Sequence, residues 1–108
     1  MAQQKHLVPA QRRPESAHAP FCTNHDEGMD ACTAADIAIP GPAPYGLTAD
    51  PYVGLMSTPD DGARILVYCG DEPLAVDDAE RFAYAILCQV ARGRGLTPAP
   101  GTLAAVAR

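Results

Sequence analysis

The residues best suited to bind a metal ion or to react chemically lie together near the amino terminus. They follow the spacing H-x3-C-x2-H-x6-C and are His18, Cys22, His25 and Cys32. Structural zinc ions are held tetrahedrally by four Cys or His ligands, and a C-x2-H step lets one tight turn supply two of them. The spacing therefore predicts a zinc site. With all four positions filled by protein, the ion would be structural.

The alternative is that these four residues are ordinary loop residues, with Cys22 or Cys32 packed as a small apolar side chain. The composition favours the metal. Aromatic residues are 6% of the chain and Trp is absent, whereas Pro and Gly are abundant, so the core is thin. A structural ion supplies folding energy where buried area cannot. If His18 or Cys32 does not bind, the open position would admit water.

Two further cysteines, Cys69 and Cys88, lie outside this cluster. Cys69 ends an apolar strand pattern, which favours burial in the core. Cys88 is predicted to lie on the outer face of a helix with Arg81 and Arg92, and nearby cations lower the pKa of a thiol. A reactive thiol is one interpretation. The other is that the Tyr84/Cys88 face is covered by another segment or a partner subunit.

A β-hairpin is predicted in the middle of the chain. Two short apolar runs, Tyr52–Ser57 and Arg64–Cys69, flank a turn that has Pro59 early and Gly62 late. Side chains alternate between the two faces of a strand, so one face of each strand should meet a helix. The residues on that face are Val53, Leu55, Ile65, Val67 and Cys69.

A helix from about Asp78 to Arg92 is predicted to follow the hairpin. Asp77 and Glu80 have the spacing of a capping box, and Gly93 and Gly95 end the helical pattern. At 100° per residue, one apolar arc of this helix is wide enough to cover a small sheet. The arc contains Ala79, Phe82, Ala83, Ile86, Leu87 and Val90.

These elements define an α+β protein with a small antiparallel sheet of about three strands, one of them within Asp36–Ile39. The sheet packs on one amphipathic helix near the carboxyl terminus, and the Cys/His segment is expected to be irregular. Residues 18–93 form the single predicted domain. Residues 1–17 are predicted to be a disordered arm, and residues 94–108 a flexible tail with a possible short helix. Pro40–Pro51 reads as a proline-rich connector.

Charge and motifs exclude several function classes. The net charge of −5 over 108 residues opposes general binding to nucleic acid or to anionic lipid. Neither a signal peptide nor a membrane span is recognisable, so a cytoplasmic protein with reduced cysteines is expected. Phosphate-binding loops, H-E-x-x-H and paired CxxC motifs are also lacking. The sequence thus favours a non-enzymatic role while leaving an enzyme open.

The order of a Cys/His cluster, short strands and an acid-capped helix resembles a family of uncharacterised small actinobacterial proteins of the Streptomyces type, a domain of unknown function. Its motif opens Cys-Pro-x-Trp-Cys-x-x-x-His. Here His18 stands for the first Cys, Phe21 for the Trp and Cys22 for the second Cys, while His25 follows with one residue fewer between. The resemblance covers roughly His18 to Arg92. It implies a zinc-binding fold without a known activity.

The sequence as a whole predicts a small protein-interaction or regulatory module stabilised by structural zinc. Its partner would be an unidentified protein, or a second copy bound through the Tyr84/Cys88 face. One alternative is a redox sensor or enzyme that uses Cys88. The other is a weak nucleic-acid binder acting through arginines of the two tails, namely Arg12, Arg13, Arg92 and Arg94.

Overall fold

The structure, a computed structural model, describes residues 18–40, 51–70 and 73–107. The predicted arm (residues 1–17) and residues 41–50 of the connector lie outside these ranges. The strands are β1 (Asn24–Asp26), β2 (Ala31–Thr33), β3 (Ile37–Ala38), β4 (Tyr52–Thr58) and β5 (Gly62–Tyr68). The helices are α1 (Val76–Gly93) and α2 (Pro100–Val106).

Strand β4 is the centre of one antiparallel sheet. One edge of β4 pairs with β5 along its whole length, from Tyr52↔Tyr68 to Thr58↔Gly62. The other edge pairs with β3 near its start and with β2 near its end, and β1 extends the sheet beyond β2. The α+β class is confirmed, but the sheet has five strands rather than about three. The segment predicted to be irregular contains β1 and β2, which are too short to show an alternating pattern.

The predicted β4–β5 hairpin is confirmed. Its turn closes at Gly62, whose φ of 72° is a left-handed conformation that glycine adopts without strain. Val53 and Leu55 are buried on the face toward the helices, as the alternation predicts. On β5 the burial is weaker, since Val67 is 39% exposed. Among the described strands β5 pairs only with β4, so it is an edge strand.

Helix α1 begins earlier than predicted, and the predicted capping box is wrong. The N-cap residue is Ala75, which provides no side-chain hydrogen bond. Asp77 therefore lies inside the first turn rather than before it. Asp77 and Asp78 still complement the positive end of the helix dipole, and Asp78 forms an ion pair of 3.0 Å with Arg81.

The buried face of α1 also differs from the predicted arc. Phe82 is buried as expected, but Leu87 is 57% exposed while Gln89 is fully buried. The helix packs on β4 and β5 and also against α2, so its buried face is rotated from the stripe that a single neighbour would cover. The Gln89 side-chain amide donates hydrogen bonds to the carbonyls of Ala35 (3.2 Å) and Val53 (2.9 Å). These two bonds fasten α1 to the sheet.

Cys88 does not point outward, which corrects the prediction for this residue. Its side chain is 1% exposed and belongs to the main apolar cluster together with Phe82 and with Val106 of α2. Helix α2 of the same chain contributes to this cluster, and the Tyr84/Cys88 face does not present Cys88 to a second copy. Helix α2 falls where the sequence predicts a possible short helix. No helix within the described ranges has the length and apolar character needed to cross a membrane.

Candidate metal centre

The β1–β2 hairpin positions two of the four predicted ligands. His25 and Cys32 are directly opposite each other in its register, so their side chains share one face. The loop between the strands is shaped by Asp26, whose carboxylate accepts hydrogen bonds from the amides of Gly28 (2.9 Å) and Met29 (3.3 Å). Asp30 closes the loop with a φ of 50°, a conformation that Asp tolerates better than most residues.

A tight turn before β1 positions the other two predicted ligands, His18 and Cys22. The amide of Cys22 donates to the carbonyl of Ala19 at 2.9 Å, and Pro20 occupies the second position, where its fixed φ suits a turn. The amide of Thr23 then donates to the Thr33 carbonyl of β2 at 2.8 Å. The turn folds His18 back toward the hairpin, beside Cys22.

The structure brings all four predicted residues together. One ligand atom from each lies within 4.8 Å of the ligand atoms of the other three. The His18 and His25 rings stack with centroids 4.1 Å apart, and Cys32 Sγ lies 3.5 Å from His25 Nδ1. Around a tetrahedral zinc with usual bond lengths, a sulfur and a nitrogen ligand are about 3.6 Å apart. The Cys32–His25 pair already has that separation.

Two acids lie on the far side of the His25 ring. His25 Nε2 is 2.9 Å from Asp30 Oδ1 and 3.4 Å from Glu27 Oε2. Asp30 is buried, whereas the Glu27 side chain is 71% exposed. A carboxylate on one imidazole nitrogen, with the other nitrogen aimed at the ligand cluster, is the usual arrangement of a metal-binding histidine. Sequence reasoning missed Asp30, and its only signal was an acid inside the loop between two ligands.

Without a metal, the site favours the protonated form of the Cys22 thiol. Burial, followed by the neighbouring Cys32 thiol, raises the pKa of Cys22 above its usual value. The pKa of His25 is raised chiefly by its hydrogen bond with Cys32, with smaller contributions from Glu27 and Asp30. Of two thiols this close, the second resists ionisation because two thiolates would repel each other. A divalent cation would remove that repulsion.

Cys88 is not a second reactive centre. Arg92 does act to lower the pKa of its thiol, as the sequence suggests, but burial is the larger effect and the pKa is raised. A buried, protonated thiol is neither nucleophilic nor accessible. The interpretation of Cys88 as the residue of a redox sensor or enzyme is therefore not supported by its surroundings.

Comparison with known proteins gives no further identification. No family model, curated protein or solved structure matches this chain. The resemblance to the actinobacterial family stays a prediction, and any functional conclusion depends on the geometry of the site.

Proposed function

We propose that this chain is a small non-enzymatic module whose amino-terminal part is held by a structural zinc ion. The observation that carries the proposal is the convergence of four Cys and His ligand atoms within 4.8 Å. Two sulfur and two nitrogen ligands in a tetrahedral arrangement are typical of zinc. Two thiolates would neutralise the charge of the ion, and the carboxylates behind His25 would strengthen that ligand.

The packing gives a physical reason for a metal. The main apolar cluster contains large side chains from β3, β4 and α1, but none from residues 18–36. In that segment the buried apolar residues are small, namely Ala31, Cys32 and Ala34. They bury little area, so the turn and the β1–β2 hairpin gain little hydrophobic stabilisation. Structural zinc contributes roughly 10–16 kcal/mol in zinc-finger peptides, which is ample for a segment of this size.

A closed site also favours a binding role over catalysis. Catalytic zinc keeps one position for water or substrate, whereas here four protein ligands would fill the coordination sphere. The proposed role is therefore to stabilise a surface that recognises a protein partner. The partner is an unidentified protein or a second copy, and a second copy at the Tyr84/Cys88 face would contact Tyr84, since Cys88 is buried.

Elemental analysis of the purified protein tests the metal. We expect one zinc per chain in the wild type and none in Cys22→Ser, because a hydroxyl is a poor replacement for thiolate at a structural site. Cys69→Ser is the matched control, since Cys69 is also half-buried but lies outside the cluster. It should retain one zinc. A metal-free wild type that is as well folded as the zinc-treated protein would refute the proposal.

A further inference from the structure

A groove of about 480 Å³ lies beside the proposed metal centre. Its lining comes from three segments: the turn between His18 and β1, the residues after β2, and the carboxyl end of α1 with the chain that follows. A Cβ atom built at Gly95 would lie 4.0 Å from Pro20 Cγ, so two of these segments meet there. The volume is within the range of sites that hold small organic molecules.

The groove combines apolar walls with one positive charge. Pro20, Phe21, Leu96 and Pro98 are the larger apolar residues of its lining. Among the described residues that line it, Arg92 is the only charged one, although the whole chain has a net charge of −5. A groove whose described lining has one cation and no acid is complementary to an anion with an apolar body.

The guanidinium of Arg92 is not needed to cap its own helix. The amide of Leu96 donates to the carbonyl of Ala91 at 2.8 Å, and the amide of Gly95 donates to that of Arg92 at 2.9 Å. This is a Schellman motif, and the φ of 76° at Gly95 is the left-handed conformation that it requires. The end of α1 is thus capped by backbone amides.

The Arg92 side chain also forms few other polar interactions. Its hydrogen bond goes to the Gln89 side-chain oxygen at 3.4 Å, which is long. The salt bridges found among the described residues do not include Arg92. A half-buried guanidinium of this kind retains donors for a carboxylate, which it can bind through two parallel hydrogen bonds.

We propose that this groove binds a small organic carboxylate with an apolar body. The carboxylate pairs with Arg92, and the body packs between Phe21 and Leu96. The proposal goes beyond the metal site, but it rests on the proposed function in one respect, since Pro20 and Phe21 lie in the segment that the zinc would hold. The test therefore uses protein supplied with zinc, and elemental analysis of the same sample separates a failure of the metal site from a failure of the groove.

The experiment is an NMR titration of the ¹⁵N-labelled full chain with phenylacetate and hexanoate, each compared with its uncharged amide. We expect saturable shifts of the Leu96 and Thr97 amides, with acids binding at about millimolar Kd and the amides at least tenfold more weakly. Equal binding of acids and amides, or no shift of these two signals, would overturn the proposal. This comparison uses only the wild-type protein, so it tests the proposal even if a variant misfolds.

Two variants locate the charge. Arg92→Gln should weaken acid binding at least tenfold, whereas Arg94→Gln should leave it unchanged. Arg94 is the matched control because it carries the same charge two residues away and does not line the groove. A folded Arg92→Gln protein that binds the acids like the wild type would rule out the proposed site. An equal loss in both variants would show a general charge effect and would also rule it out.

Discussion

Asp30→Asn tests whether the acid behind His25 matters for metal binding. Asp30 Oδ1 lies 2.9 Å from His25 Nε2, and the two side chains are only 10% and 13% exposed. The substitution keeps the size of the side chain, and Asn adopts the left-handed backbone of this position as readily as Asp. It removes the negative charge that would make His25 a stronger ligand. The change therefore isolates the charge from the packing.

The expected loss is about 10–100-fold in zinc affinity, or roughly 1.4–2.8 kcal/mol, the range found when an outer carboxylate partner is removed from a ligand histidine. Glu27→Gln is the control. Glu27 faces the same nitrogen from 3.4 Å, but its side chain is 71% exposed and the interaction is screened by water. We expect less than about a threefold loss for this variant.

The assay is competition for zinc against a chromogenic chelator of known affinity. Thermal unfolding with and without zinc provides a second readout, since a ligand that binds only the folded state stabilises it by an amount that grows with the logarithm of its affinity. Equal zinc affinity for wild type and Asp30→Asn would refute a role for Asp30. Equal losses in Asp30→Asn and Glu27→Gln would show that only the net charge of the loop matters.

Three other outcomes are expected. Gln89→Leu should lower the free energy of unfolding in urea by about 1–3 kcal/mol, because the buried carbonyl of Val53 and the part-buried carbonyl of Ala35 lose their donor. A loss below about 0.5 kcal/mol, roughly the error of such measurements, would contradict this. Iodoacetamide should modify Cys69 in the native protein but reach Cys88 only on unfolding, as mass spectrometry of digests would show; early modification of Cys88 would contradict its burial. Zinc uptake near neutral pH should release at least one proton per ion, because the raised pKa of Cys22 keeps its thiol protonated without metal. Zinc affinity should therefore fall as the pH falls, and calorimetry in buffers of different ionisation enthalpy would count the protons; release of none would contradict thiolate ligation.

The longer elements could be predicted from the sequence. The β4–β5 hairpin has an alternating pattern and a turn with the expected residues, and α1 has enough turns for its period to be visible. The strands β1 and β2 were missed because three residues contain no recognisable alternation. The orientation of α1 was missed because a helix with neighbours on two sides buries residues, such as Gln89, that a single apolar stripe does not indicate.

The candidate site divides in the same way. The spacing of its Cys and His residues identified a set that the structure brings together, because turns and hairpins keep neighbours in sequence close in space. Asp30 could not be identified in advance, since its role depends on the direction of one side chain within a loop. The groove beside Arg92 joins segments about 70 residues apart along the chain, and no local pattern reports such a meeting.

Strands β5 and β2 are paired with β4 to very different extents, and this bears on how the protein opens in solution. Strand β5 pairs with β4 at seven residue positions, whereas β2 joins it at two, Cys32↔Ser57 and Thr33↔Met56. Amide hydrogen exchange reports such differences, because weakly attached segments open independently of global unfolding. The β1–β2 hairpin, which two residue pairs join to β4, is thus expected to open more readily than the β4–β5 hairpin. A zinc ion bound there would suppress this local opening, and the amide hydrogens of the hairpin would then exchange only when the whole domain unfolds.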